Sequence, residues 1–246
     1  MKTTGRTILI TGGASGIGFE IARLLSTENK VIIVGRNMQK LQRAAAELPG
    51  VVTVQVDITK EDDVNRLVDE VNSRYSDLSV LVNNAGFAHA YTLGENADAR
   101  TKAIAEFETN YFSPLRLTEK LLPFLKKQAE AAIVNVTSAV ALTPWVAVPT
   151  YSDSKAALHS YTQVLRHELR DTGVKVFELM PPLVDTPFAA ELGGQANGMS
   201  AADVAAGFLK AFKEDLFEIP VGGAVDLYNG FFAGTKGAFN ALNRLG

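Results

Sequence analysis

The residues best suited to chemistry lie in Tyr151-Ser152-Asp153-Ser154-Lys155, where a phenol and an ammonium stand four positions apart. On a helix that spacing puts both side chains on one face, with Cβ atoms about 5–6 Å apart. An ammonium beside a phenol favours the phenolate and brings its proton toward working pH, and a place in the first turn adds the positive end of the helix dipole. A phenol tuned in this way gives a proton to an alkoxide or takes one from an alcohol. Taken alone, the pair is equally a surface tyrosine with a solvated lysine. Two residues give it context. Ser138 lies thirteen positions upstream, at the end of the apolar run Ala132-Ile133-Val134-Asn135-Val136-Thr137; the C-ends of parallel strands open into the ligand crevice of such sheets. Asn110 sits inside an amphipathic segment, where a poor helix former needs a reason. Their plainer readings are a strand-end cap and a core hydrogen-bonder.

The elements that must hold these residues follow from apolar periodicity. Strands are expected at Thr7–Thr11, Val31–Gly35, Val51–Val56, Leu78–Asn83, Ala132–Thr137, Lys175–Met180 and Glu218–Val221. Continuous runs such as Val31-Ile32-Ile33-Val34 suit strands covered on both faces, as in a parallel sheet. Between them, helices are expected at Ile17–Ser26, Met38–Leu48, Glu61–Arg74, Ala103–Lys127, Tyr151–Arg170 and Ala201–Phe212. This alternation indicates one α/β domain with crossover helices. The segment 181–200, rich in Pro, Gly and Ala, is expected to be irregular and to act as a mobile loop.

The first strand runs into Gly12-Gly13-Ala14-Ser15-Gly16-Ile17-Gly18 and then directly into a helical pattern. A glycine-rich turn at that junction offers bare backbone N–H groups and a positive helix end, the arrangement that holds a dinucleotide pyrophosphate. Gly12 permits the tight turn, Gly16 lets phosphate approach, and Gly18 lets the helix pack on the sheet. A tight turn that binds nothing is the alternative.

The spacing Thr11-Gly12-x-x-x-Gly16-x-Gly18, with Asn83-Asn84-Ala85-Gly86 after the fourth strand, resembles the short-chain dehydrogenase/reductase family from Thr7 to about Phe239. Asn110, Ser138, Tyr151 and Lys155 match that family's tetrad in order and spacing. Pro181-Pro182-Leu183-Val184-Asp185-Thr186, Lys155-Ala156-Ala157-Leu158-His159-Ser160 and Leu165-Arg166-His167-Glu168-Leu169-Arg170-Asp171 look like its bacterial DltE-like branch. The resemblance implies a single Rossmann-fold domain over residues 1–246, a doubly wound parallel sheet in the order 3-2-1-4-5-6-7 with helices on both faces. It implies Tyr151 as general acid/base and Ser138 polarising a carbonyl. Lys155 would lower the phenol's pKa and hold the nicotinamide ribose, and Asn110 would fix a water that links Lys155 to solvent. It also implies cofactor contacts from Ser15, Ile17, Asp57 (to the adenine amino group), Ile58, Asn84, Ala85, Gly86, Pro181, Val184 and Thr186. Where the family has Pro-Gly, this chain has Pro181-Pro182, which stiffens the turn and removes a donor. Asp57 has a structural alternative, as a cap for the helix starting near Lys60, and Thr59-x-x-Asp62 could serve there instead.

Cofactor choice turns on the tip of the second strand. A carboxylate there accepts from the ribose 2′-OH of NAD; here the sequence reads Val34-Gly35-Arg36-Asn37, with no acid. Arg36 offers a planar fork suited to a 2′-phosphate, which favours NADP(H) over NAD(H).

Composition closes off other chemistries. With 24 Lys plus Arg against 27 Asp plus Glu, the net charge of −3 argues against a nucleic-acid binder. Zero cysteine excludes disulfides, Cys-ligated metals and a thiol nucleophile, and fits a reducing, cytoplasmic setting. No apolar run reaches the ~20 residues of a membrane span. His159 and His167 lie eight apart on one helix with no third ligand, so no metal is expected; packing or a subunit surface is the plainer role. His89 could face a substrate or sit in an exposed loop, and Trp145, Val146 and Pro149 fall where a substrate pocket would be lined. The expected function is NADP(H)-dependent interconversion of a carbonyl and an alcohol on a small, largely apolar substrate. The protein would be a homodimer or homotetramer through the 103–127 and 151–170 helices. A regulator that binds NADP(H) without turnover is the rival reading.

Overall fold

The computed structural model describes residues 1–48 and 50–244. The first half of the chain forms β1 (Thr7–Thr11), α1 (Gly16–Leu25), β2 (Lys30–Gly35), α2 (Met38–Glu47), β3 (Val52–Gln55), α3 (Glu61–Arg74), β4 (Leu78–Asn83), α4 (Ala99–Phe107) and α5 (Ser113–Leu125). The second half forms β5 (Ala131–Val136), α6 (Pro149–Glu168), β6 (Val174–Met180), β7 (Val184–Asp185), α7 (Gly194–Asn197), β8 (Met199–Ser200), α8 (Ala201–Lys213), β9 (Glu218–Pro220), α9 (Ala224–Ala233) and α10 (Thr235–Asn243).

Seven strands make one parallel sheet in the order β3-β2-β1-β4-β5-β6-β9, a single Rossmann-like α/β domain. The order is the expected one; the seventh sheet strand is ninth along the chain only because the two-residue β7 and β8 pair separately. Alternate residues of each strand feed opposite cores. Ile8, Ile10 and Ile33 pack with α1, α2 and α8, whereas Leu9, Ile32 and Val34 pack with α3 and α5. Both faces of the central strands are therefore dry, which is why their sequences read as unbroken apolar runs.

Three expectations need correction. The segment 103–127 is not one regular helix. It begins earlier, at Ala99, and is interrupted by a π-helical turn over Glu108–Phe112. Pro114 explains the interruption: it has no N–H for the carbonyl of Asn110 four residues back, and its ring would clash there. The chain widens instead, with the Ser113 N–H and Oγ both donating to the Glu108 carbonyl. Second, 181–200 carries short elements: β7, a 3-10 turn over Pro187–Leu192, α7 and β8. Gly198 makes this fold possible, since a Cβ there would stand 2.5 Å from the Asp185 nitrogen. Third, α9 and α10, which cover one end of the molecule, were not expected at all.

Candidate active site

The C-terminal ends of β1 to β6 open into a cavity of about 820 Å³. Of the expected site residues, Gly12, Ser15, Gly16, Ile17, Arg36, Asp57, Ile58, Asn84, Ala85, Gly86, Ser138, Tyr151, Lys155, Pro181, Val184 and Thr186 line it. Gly18 and Asn110 do not; each acts from behind the wall.

One end of the cavity is made of backbone. Gly12 and Gly16 have φ of +66° and +57°, and a Cβ on Gly16 would lie 2.9 Å from Thr186 Cγ2. Ser15 is the N-cap of α1, yet its side chain makes no capping bond, which leaves the first amides of the helix without a side-chain acceptor among the described residues. Gly18 lets α1 sit close: a Cβ there would stand 2.8 Å from the Gly12 carbonyl oxygen. Thr11, which belongs to the motif but was assigned no role from the sequence, ties the loops together. Its Oγ1 accepts from the amides of Asn84 (2.9 Å) and Ala85 (3.0 Å), while Asn84 Nδ2 donates to the Thr11 carbonyl at 2.9 Å. A threonine directly before the glycine turn was the available signal.

Arg36 is exposed at the rim, and its guanidinium makes no hydrogen bond or ion pair among the described residues. Asp57 is shared between two roles. Its Oδ1 accepts from Thr59 N (3.1 Å) and Thr59 Oγ1 (2.7 Å), closing the turn into α3, and it still faces the cavity. The Thr59–Asp62 cap is not made; Asp63 instead accepts from the Asp57 amide at 2.8 Å.

The tetrad residues converge from three places: the π-helical turn, the end of β5 and the start of α6. Tyr151 lies in the first turn of α6, which begins with Pro149 and has no side-chain cap. Ser138 follows β5, is nearly buried, and accepts from Val140 N at 3.3 Å. Lys155 is buried; its Nζ donates to the Val136 carbonyl at 2.8 Å and stands 5.6 Å from the centre of the Tyr151 ring. Burial brings the Lys155 ammonium down to about 8, against an opposing pull from the Glu178 charge. Burial also pushes the Tyr151 phenol well above its ordinary value; the Ser138 hydroxyl pulls it back and the Glu106 charge adds to the rise. In the protein without cofactor, desolvation outweighs the lowering expected from the Lys155 ammonium and the helix dipole.

Asn110 is fully buried, and its side chain is spent on protein groups. Oδ1 accepts from Phe87 N (3.0 Å), while Nδ2 donates to the Phe87 carbonyl (2.9 Å) and to Ser154 Oγ (3.0 Å). Ser154 in turn donates to the Tyr151 carbonyl at 2.7 Å. The side chain thus clamps the turn after β4 to the helix that carries Tyr151.

The other end of the cavity is apolar. Trp145 lines it as expected, but Val146 is exposed and Pro149 only starts α6; Val148, which was not expected, lines it in their place. Phe188, whose ring lies 5.7 Å from that of Tyr151, joins them with Leu192, Leu227 and Leu242, none of which the sequence reading singled out. Asn243 pins α10 over this end, accepting from Val146 N (2.8 Å) and donating to the Pro144 carbonyl (3.0 Å). The three- and four-residue apolar spacing of Ala224, Leu227 and Phe231 was a signal for α9. His89 is held off the cavity by Glu106, which accepts from its amide at 2.7 Å.

Comparison with known proteins agrees with this geometry. Residues 6–197 match the family model described as short chain dehydrogenase. The chain belongs to the short-chain dehydrogenase/reductase family. Within that family it is 41% identical over 224 residues to the uncharacterized oxidoreductase DltE of Bacillus subtilis, covering 89% of each chain. It superposes on a short chain dehydrogenase from Burkholderia cenocepacia in complex with NADP with a TM-score of 0.86, at 29% identity, covering 100% of this chain and 99% of that one. A 3-ketoacyl-(acyl-carrier-protein) reductase from Brucella melitensis complexed with NADH superposes with a TM-score of 0.78 at 27% identity, covering 87% and 93%. Solved members of the family thus hold either nicotinamide cofactor, and the expected DltE-like branch is among the relatives. Among the described residues no helix is long and apolar enough to cross a membrane.

Proposed function

We propose that this short-chain dehydrogenase/reductase interconverts a carbonyl and an alcohol on a small, largely apolar substrate, using NADP(H). The observation that carries the reading is the shared cavity: Ser138, Tyr151 and Lys155 lie along its wall between an uncapped, glycine-edged helix end and an apolar chamber. The residues present suit the cofactor. Bare amides of α1 would take the pyrophosphate, and the Arg36 guanidinium, which makes no bond among the described residues, would take a 2′-phosphate. Asp57, Ile58, Asn84, Ala85, Gly86, Pro181, Val184 and Thr186 would enclose the rest. Bound there, the dinucleotide gives or takes a hydride at the carbonyl carbon.

The protein's own groups handle the oxygen. Ser138 donates to it, and Tyr151 passes its proton to it as the alcohol forms, taking the proton back in the reverse direction. The phenol carries its proton at neutral pH, which suits reduction. Lys155 supplies the positive charge beside the resulting phenolate and would hold the nicotinamide ribose. Asn110 would fix a water that links Lys155 to solvent, and its main-chain carbonyl, which Pro114 deprives of its regular donor, is suited to hold it. We also assign to residues 181–200 the part of a mobile flap over the substrate.

Exposed Ile104, Phe112 and Val164 on the 103–127 and 151–170 segments favour a homo-oligomer built through them. A cysteine-free chain with this chemistry suits the cytoplasm.

The test is NADPH oxidation against NADH oxidation over a panel of ketones, aldehydes and quinones. Turnover with NADPH in preference to NADH supports the reading. Protein that binds NADPH and turns over nothing would be a binding-only regulator.

A further inference from the structure

Glu178, in the middle of β6, is fully buried, and the chemistry above makes no use of it. A carboxylate there is costly unless it is bonded and paired. Its Oε1 accepts from Thr137 Oγ1 at 2.7 Å, and both carboxylate oxygens lie 2.9 Å from His159 Nδ1. These partners adjoin the catalytic groups: Thr137 directly precedes Ser138, and His159 is one turn beyond Lys155 on the same face of α6. His159 is largely covered, and its other ring nitrogen lies 3.1 Å from Gln163 Nε2.

Lys155 presents the complementary problem. Its ammonium is buried, it donates to a neutral carbonyl, and no carboxylate pairs with it directly among the described residues. We propose that Glu178 is the buried counter-charge of Lys155, and that His159 and Thr137 hold it and apportion its field, so that all three are positioning residues for the tyrosine–lysine pair. This rests on the proposed role of Lys155. The Glu178 charge acts to keep Lys155 protonated, and the same carboxylate holds His159 above its ordinary value through their hydrogen bond. When His159 is charged it cancels part of the field that reaches Lys155; when it is neutral, the whole field does.

The remaining charged neighbours are accounted for. Arg166 on α6 faces Glu218 of β9 at 3.3 Å, and Tyr228 of α9 donates to the same Glu218. Toward His159, Glu218 raises and Arg166 lowers, so the two oppose each other. From β5 the cluster receives the neutral Thr137, while Asn135 is taken by Asn83 and Thr162.

The signature is a pair of opposite shifts, which a purely structural role would not produce. In Glu178→Gln, Lys155 should titrate at lower pH by on the order of one unit. In His159→Gln, which keeps a donor toward Glu178 but removes the ring charge, it should titrate at higher pH over the range in which NMR titration of the wild-type ring shows His159 still charged. Two measurements read this: NMR titration of the Lys155 side chain in cofactor-free protein, and the alkaline limb of NADPH-dependent carbonyl reduction. Should Glu178→Gln not fold, the upward shift in His159→Gln still decides. Unchanged titration in both variants, or shifts of the same sign, overturns the proposal. If the wild type reduces no carbonyl, the proposed function falls, while the NMR titration still tests the counter-charge.

Discussion

At one end of the cavity the wall is backbone: Gly12, Gly16 and the open first turn of α1, stitched to the turn after β4 by Thr11 and Asn84. At the other end the wall is side chains from separate segments, with Trp145 and Val148 before α6, Phe188 and Leu192 from the 3-10 turn, and Leu227 and Leu242 from the last two helices. A backbone cradle tolerates almost no change in residue type, because its amides work only if no Cβ intrudes. A side-chain chamber can be lined in many ways and still close. The first end suits a ligand that never varies; the second leaves room for substrate choice to drift.

That contrast can be broken or sharpened by measurement. The largest effect is expected between the two ends. Tyr151→Phe should lose about 10²–10⁴ in kcat for carbonyl reduction while NADPH affinity, read by fluorescence titration, stays within a few-fold. A parallel loss of binding would mean that the phenol is structural. At the backbone end, Arg36→Asp should weaken NADPH by roughly 10- to 100-fold, the worth of a charge-assisted pair, and improve NADH in the same assay. Gly18→Ala forces a methyl against the Gly12 carbonyl and the Asn84 side chain, so NADPH affinity should fall about tenfold or more with the fold retained by circular dichroism.

At the side-chain end, Asn243→Ala releases two bonds that pin α10. KM for apolar carbonyls should rise a few-fold, and NADPH affinity should not move. A last effect, spread over the whole pH window and not on activity, is on stability. Lys155 has a folded value near 8 against 10.5 when free, so between these values the folded state binds fewer protons than the unfolded one. Stability of the cofactor-free protein should therefore gain a positive contribution as pH rises through that window, by at most one proton's worth of slope. Lys155→Met should remove that contribution in denaturant titrations at two pH values.

The backbone end was readable because its requirements are local. A glycine at positive φ, a helix opening straight from a strand and an arginine at the next strand tip are all features of contiguous residues. The tetrad was readable as residues, but its electrostatics were not. Four-residue spacing puts Lys155 beside Tyr151; only burial shows that the phenol is raised and the ammonium lowered. Asn110 shows the same division. Its presence in a helix signalled a purpose, yet the π-helical turn that points it at Phe87 and Ser154 depends on Pro114 acting on the turn before it. His159 read as a packing residue because its partner, Glu178, is nineteen positions away.

The sequence by itself determined the alternating α/β order, the parallel sheet, the glycine cradle and which side chains could move a proton, since each rests on periodicity or short-range spacing. The tertiary structure alone decided which charges are desolvated, which carboxylate faces which ammonium, and how α9 and α10 complete the chamber. Those properties depend on groups far apart in the chain, and the dielectric around a charge is set by everything packed against it.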